Sequence, residues 1–554
     1  MTNAVQLALL FAFTILPATV AGTESALLHE QIDARIAAAQ GELSSSASPR
    51  SSDTEFLRRV YLDVTGRIPG RHEVTAFQDE EAGDKRLKLV DRLLLDPWHA
   101  RHMLYHLDVM LMGRLPEKHI KVAQWRDYLY TSLLENKRFN QLVAEILLAD
   151  GAVPDERPRA RFLLARELNI DDTTRDIGRI FLGRDLQCAQ CHDHPSIDDY
   201  LQRRYYGLSA FLGRSYLFQD PETKETSIGE KAEGEVTFTS VFTDEESTTA
   251  PRLLELAALD DPPAEEEPYV TKPEEKTRGV PKYSRRLQLA PNITSEENVA
   301  FRMNIANRLW ALVMGRGLVE PLDMMHTDNP PSHPELLALL ADELLRTGYD
   351  MRSLMRQLIL SETYQRSSRL VANDPPLPES AYLAAALKPL TPEQLAWSTM
   401  QAVGLVETTR SEHIARFKEE DPSFDPNDMA QAIQLERAVH DSLQPHVDTF
   451  VAVFASKADR FSATASQALF LENGELITEW LTPSNGNLLE RLLQTGDAEA
   501  ATRELYLTVL SRPPTDEELE QLVAFLGAYD DDQMTGMTEA TRAILCSAEF
   551  RFNH

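Results

Sequence analysis

A recurring start signal for helices restricts this chain more than any other feature. At Ser52/Glu55, Ser332/Glu335, Thr391/Gln394 and Thr515/Glu518, a hydroxyl residue is followed three positions on by Glu or Gln. At that spacing each side chain can accept from a free backbone N–H at a helix start. Pro334 and Pro392 stand at the first turn, where a missing N–H costs nothing. Apolar residues then return at helical intervals, as at Phe56, Val60 and Leu62. Leu- and Ala-rich stretches at Lys85–Leu95, Glu335–Arg346, Ser353–Leu360 and Glu490–Gln494 agree, and only 23 of 554 residues are glycine. The pattern predicts a mainly α-helical chain.

Ala26 to Ala39 reads as a short amphipathic helix, and Leu43 to Ser52 as a Ser-rich joint. One segment breaks the helical pattern. Glu235 to Phe242 alternates apolar with polar residues and is rich in β-branched types, which predicts a strand or hairpin. Asp260 to Gly279 is Pro-rich and charged, a surface linker between two helical lobes with a boundary near 280. Val60–Glu73 echoes Leu505–Glu518, sharing Tyr, Leu, Val, Arg, Pro and Glu in the same places. Two copies are too few for a stacked solenoid. The expected common element is a helix-ending turn in which Arg67 and Arg512 bond carbonyls at a helix C-terminus.

Acidic side chains (87) outnumber basic ones (56), leaving −31. Such a charge repels phosphate backbones and anionic lipid, so neither nucleic acid nor a membrane surface is an expected partner. Three cysteines exclude a disulfide scaffold. The apolar run Ala4 to Leu16, followed by small residues to Ala21 and Gly22, reads as a cleaved export signal over residues 1–22. No later stretch reaches the roughly 18 apolar residues of a membrane span. The mature chain is therefore expected outside the cytoplasm, periplasmic or extracellular, without an integral span.

Two of the three cysteines fall in Cys188-Ala189-Gln190-Cys191-His192, the C-x-x-C-H spacing of covalent haem attachment. Two thiols one turn apart can reach both porphyrin vinyl groups while the adjacent imidazole ligates iron. Three other readings stand beside it. An exported C-x-x-C also suits a short-loop disulfide. Cys188, Cys191, His192 and His194 make a soft N/S set for zinc or iron. The two histidines also suit simple hydrogen bonding in a turn with Asp193 and Pro195. Met314, Met324, His326 and His333 are the candidate distal ligands. Phosphate-loop, esterase-elbow and zincin motifs are absent. The pairs Asp198–Asp199 and Asp260–Asp261 read as solvated surface, and Asn292-Ile293-Thr294 has the form of a glycosylation acceptor.

Several segments carry a resemblance. In the first half they are Phe56–Pro69, Lys85–Leu94, Trp125–Gly151, Phe181–Pro195 and Tyr205–Arg214. In the second they are Asn304–Met325, Asn329–Leu345, Leu358–Ser368, Leu390–Met400, Gln467–Ile477 and Ser547–His554. With these the chain resembles the planctomycete-type secreted family of unknown function, in which a cytochrome-like PSCyt domain precedes a PSD domain. His106 stands where that family usually has tryptophan, and Ser196-Ile197-Asp198 follows His194-Pro195 in place of its usual Phe-Asp. The resemblance implies a PSCyt-type helical domain over 53–230, after an N-terminal helix and linker at 23–52. A β insertion and acidic linker at 231–280 then lead to a PSD-type domain at 281–554. Asn307, Arg308 and Trp310 suit either a pocket for an anionic or sugar-like ligand or the pinning of two helices, and pinning is the favoured reading.

Together these readings lead to an exported haem c redox module held by Cys188, Cys191 and His192. The alternatives are an extracytoplasmic binding or assembly protein stapled by a Cys188–Cys191 disulfide, and a nonhaem metal site at Cys188, Cys191 and His194. The expected partner is a redox or polysaccharide-related protein.

Overall fold

A computed structural model describes residues 26–242, 246–370, 377–456, 463–484, 486–529 and 531–554. The proposed export signal lies outside the described residues. The fold is mainly α-helical, and its β structure, among the described residues, is limited to two-stranded antiparallel pairs and isolated bridges. The expected strand is Val236–Thr239, paired with Glu246–Thr249. A second hairpin, Ser215–Gln219 with Thr226–Glu230, precedes it. No helix among the described residues is long and apolar enough to cross a membrane.

Capping explains most helix starts. Ser52 accepts from Glu55 N (3.1 Å), while Thr391/Gln394 and Thr515/Glu518 form reciprocal boxes. Each such cap contributes about 1 kcal/mol. Ser332/Glu335 does not form one. Pro334 begins that helix and its N-cap is His333, because Ser332 N is drawn to Leu318 O (2.7 Å) and leaves the cap position.

The echo between Val60–Glu73 and Leu505–Glu518 is structural, and it has a third member. Helices Asp53–Thr65, Val299–Met314 and Ala498–Leu510 end on residues in the left-handed region: Gly66 (φ +74°), Gly315 (+82°) and Ser511 (+61°). An arginine follows each, at 67, 316 and 512. A large aromatic, Tyr61, Trp310 or Tyr506, stands five residues before each such end. Each helix is followed by two more: Arg71–Asp79 and Lys85–Leu95, Pro334–Arg346 and Met351–Leu360, Asp516–Gly527 and Gln533–Cys546. Each unit closes on a capping side chain. Asp96 accepts from Trp98 N, Ser361 from Tyr364 N and Ser547 from Phe550 N, and each capped amide belongs to a buried aromatic.

The arginines of these turns do not bond the carbonyls of their own helices, as the sequence suggested. Arg67 donates to Gln401 Oε1 and stacks over Trp98, its guanidinium carbon 5.0 Å from the ring centroid. Arg512 bridges Glu518 and Glu549. The left-handed cap already serves the helix end, as Gly66 N donates to Leu62 O.

The first unit sits against the other two through adjacent arginines. Side chains one residue apart on a helix point about 100° apart, and Arg58 and Arg59 use this to reach different neighbours. Arg58 donates to Val509 O and Phe550 O of the third unit, Arg59 to Tyr364 O and Arg366 O of the second. Asp63, one turn further on and buried, accepts from Lys388 Nζ (2.6 Å), Asn553 Nδ2 (2.7 Å) and Tyr364 Oη (2.9 Å). Lys388 also donates to Val313 O (2.9 Å). One contiguous apolar core runs through all three units.

Candidate functional site

Helix Ile170–Leu182 leads into the Cys188–His192 loop and ends at Gly183 (φ +66°). A Cβ on Gly183 would lie 2.9 Å from Asn304 Oδ1 and 3.0 Å from Met325 Sδ, so the turn needs glycine for space as well as conformation. The free carbonyls of this helix end are taken from the second half: Asn304 Nδ2 donates to Ile180 O (2.7 Å) and Arg308 to Arg179 O (2.8 Å). Asn307 exchanges two hydrogen bonds with the Val319 backbone, and Trp310 is buried. These residues pin helices, in agreement with the favoured reading of the sequence.

Beyond Gly183 the chain runs alongside residues 323–325. Asp185 N donates to Asp323 O (2.8 Å), Met325 N to Gly183 O (2.9 Å), and Arg184 bridges Met324. Leu186 and Ala189 are buried and anchor the motif from below. Cys188–Gln190 forms a 3₁₀ turn, with Cys191 N and His192 N both donating to Cys188 O (3.3 and 3.4 Å). Cys188 and Cys191 are exposed, and neither is in a disulfide.

Buried Gln202 stitches the turn: its Nε2 donates to Cys191 O (3.1 Å) and Thr239 O (3.1 Å), and its N to Asp193 Oδ1 (2.7 Å). Tyr206 donates to Gln190 O (3.1 Å) and stacks on Phe238 of the hairpin at 4.7 Å. Val241 N donates to Cys191 O, and the Phe242 ring lies 5.0 Å from that of His192. Phe242 is 76% and Val241 61% exposed, an apolar pair open to solvent beside the thiols.

The two histidines carry opposite tautomers. A backbone carbonyl only accepts, so the contact of His192 Nδ1 with Asp193 O (2.7 Å) puts the proton on Nδ1 and the lone pair on Nε2. A backbone N–H only donates, and His194 Nδ1 receives two, from Ser196 (3.2 Å) and Ile197 (3.0 Å). Its proton is therefore on Nε2, and its lone pair is already engaged. The His194 ring meets Tyr200, which meets His326 at 5.5 Å. Of the four candidate distal ligands, Met324 and His326 lie beside the loop, while Met314 is buried in the core and His333 packs on Tyr382. Among the described residues no three His, Cys, Asp or Glu side chains converge as a metal-ligand set.

Residues 31–216 match the PSCyt2 family, a protein of unknown function (DUF1549), and residues 285–526 match PSD1, a protein of unknown function (DUF1553). The chain belongs to the PSCyt2–PSD1 family. No curated protein and no solved structure matches it. The cysteine loop lies within the PSCyt2 match, and the segment that braces it, 323–327, lies within PSD1. Thr327 fastens this junction, its N–H and hydroxyl both donating to Asp199 Oδ2 (2.6 and 2.7 Å). A cavity of about 420 Å³ opens beside it, lined by Arg184, Asp199, Met303, Met325 and His326. Each carboxylate pair noted in the sequence divides its work: Asp198 and Asp260 are exposed, while Asp199 serves Thr327 and Asp261 pairs with Arg214 and Arg285.

The sequence marked the motif but missed its surroundings. The alternation at Glu235–Phe242 signalled a hairpin without signalling what it covers. Gln202 carries no motif, and Tyr206 and residues 323–325, though inside segments that carry the resemblance, gave no sign that they brace the cysteine loop.

Proposed function

We propose that this PSCyt2–PSD1 protein is an exported redox module that binds haem c, with thioether bonds from Cys188 and Cys191 and iron ligation by His192 Nε2. The observation that carries the reading is the hydrogen bond from His192 Nδ1 to Asp193 O, which orients the ring and leaves Nε2 as the ligating atom. Two further features suit the group: both thiols are accessible for bond formation, and Val241 and Phe242 offer apolar surface for a flat macrocycle. When bound, the group supplies one-electron chemistry at iron. The chain's own residues hold the imidazole in one tautomer, fix the turn through Gln202 and Tyr206, and brace the loop from PSD1. His192 is the ligand of choice over His194, whose Nδ1 is occupied by two N–H donors.

Expression with haem-ligation machinery tests this. A pyridine haemochrome band that survives acid–acetone extraction is expected and is lost in Cys188→Ser/Cys191→Ser, while the visible spectrum of the native protein is perturbed in His192→Ala but not in His194→Ala. A colourless, folded product would overturn it. A change in thiol labelling on reduction would then point to a disulfide staple, and stoichiometric zinc or iron lost on Cys188→Ser to a nonhaem site.

A further inference from the structure

Helix Pro97–Met112 carries His102 and His106 four positions apart, on one face. Their Nε2 atoms are 3.1 Å apart and their rings meet nearly perpendicular, at 83°. His102 is buried against the first repeat unit. Its ring fits because residue 66 is glycine: a Cβ there would lie 2.4 Å from Nδ1. The His102 ring also faces the Asp63 backbone. Both rings line a cavity of about 330 Å³, together with Tyr105, Thr391, Glu393 and Gln467. Glu393 is held there by Arg114, whose guanidinium donates to both carboxylate oxygens (2.8 and 3.3 Å).

For metal–nitrogen bonds of about 2.0–2.1 Å, two ligands at angles between 90° and tetrahedral sit roughly 2.9–3.4 Å apart. The observed separation falls inside that range without any ring movement. We infer that His102 and His106 chelate one borderline divalent transition-metal ion, of the zinc, cobalt or nickel type, through their two Nε2 atoms. The remaining positions face the cavity and take water or a small ligand, since no third His, Cys, Asp or Glu completes the set among the described residues. The site is separate from the Cys188–His192 loop and does not depend on the haem reading.

The test is cobalt(II) titration of the full chain, followed by dialysis and elemental analysis. About one equivalent should remain, with visible d–d absorption, in the wild type and in Cys188→Ser/Cys191→Ser. His102→Gln and His106→Gln should each lose it while keeping the helical circular dichroism of the wild type. X-ray absorption on wild-type protein gives a readout that needs no histidine variant: two imidazole nitrogens and no sulfur in the first shell. No retained cobalt, retention that follows the cysteines, or a sulfur-containing shell would overturn the site. The pair would then be a histidine–histidine hydrogen bond only.

Discussion

Around Asp63 every side-chain partner is more than 300 residues away in sequence, at Tyr364, Lys388 and Asn553, and the carboxylate they share is buried. Around Cys191 and His192 the partners are Asp193, Gln202, Val241 and Phe242, all within about 50 residues, and the sulfurs are exposed. The first arrangement holds the repeat units together at the cost of dehydrating a charge pair. The second leaves reactive atoms in water on a turn whose stiffness is borrowed from its neighbours. Stability and candidate chemistry are therefore kept in different places, and substitutions should separate them.

The largest effect is expected at the hub. Asp63→Ala leaves Lys388 buried without its carboxylate, a change worth about 3–5 kcal/mol. The urea midpoint should fall accordingly while the thiols of Cys188 and Cys191 keep their labelling rates. Equal disturbance of both regions would break the distinction.

Acid should also act first on the hub side. Burial holds His99 and His106 down to about 4, and His102 well below the ordinary value, against 6.5 in an unfolded chain. The folded state binds fewer protons than the unfolded one as pH drops from 6.5 towards 4, so stability falls through that window. Urea midpoints taken across it should show the slope, reduced in His106→Gln. Hydrogen bonding to Arg512 holds Glu518 down to about 2, so its contribution is present above 4.5 and is lost only as pH falls from there towards 2.

A smaller loss, about 1 kcal/mol, is expected for Arg512→Ala, because that double carboxylate bridge is partly exposed to solvent. Thermal unfolding would measure it. Least of all, Phe242→Ala should change stability by less than about 0.5 kcal/mol, since the ring is exposed. In haem-loaded protein the same substitution should still shift the visible absorption band, because the ring lies against His192. A stability loss comparable to that of Arg512→Ala would mean that the hairpin belongs to the core.

Much of this was legible locally. Lys85–Leu95 is a helix with the expected limits, and the boxes at Thr391 and Thr515 form as their spacing suggests. These depend on backbone groups three or four residues apart. The third repeat was hidden because Trp310, Ala311 and Leu318 stand where the other two share Tyr, Leu and Pro; what persists is a left-handed helix end followed by arginine. Ser332 failed as a cap because a distant carbonyl, Leu318 O, took its N–H.

The amino-acid order alone determined the helices, most of their caps, the family and the C-x-x-C-H spacing, because each depends on residues near one another along the backbone. Only the tertiary structure decided that His192 and His194 carry opposite tautomers, that PSD1 braces the cysteine loop, and that Gly66 makes room for His102. Those outcomes turn on which donor or acceptor arrives within about 3 Å from elsewhere in the chain, and burial then makes that partner count.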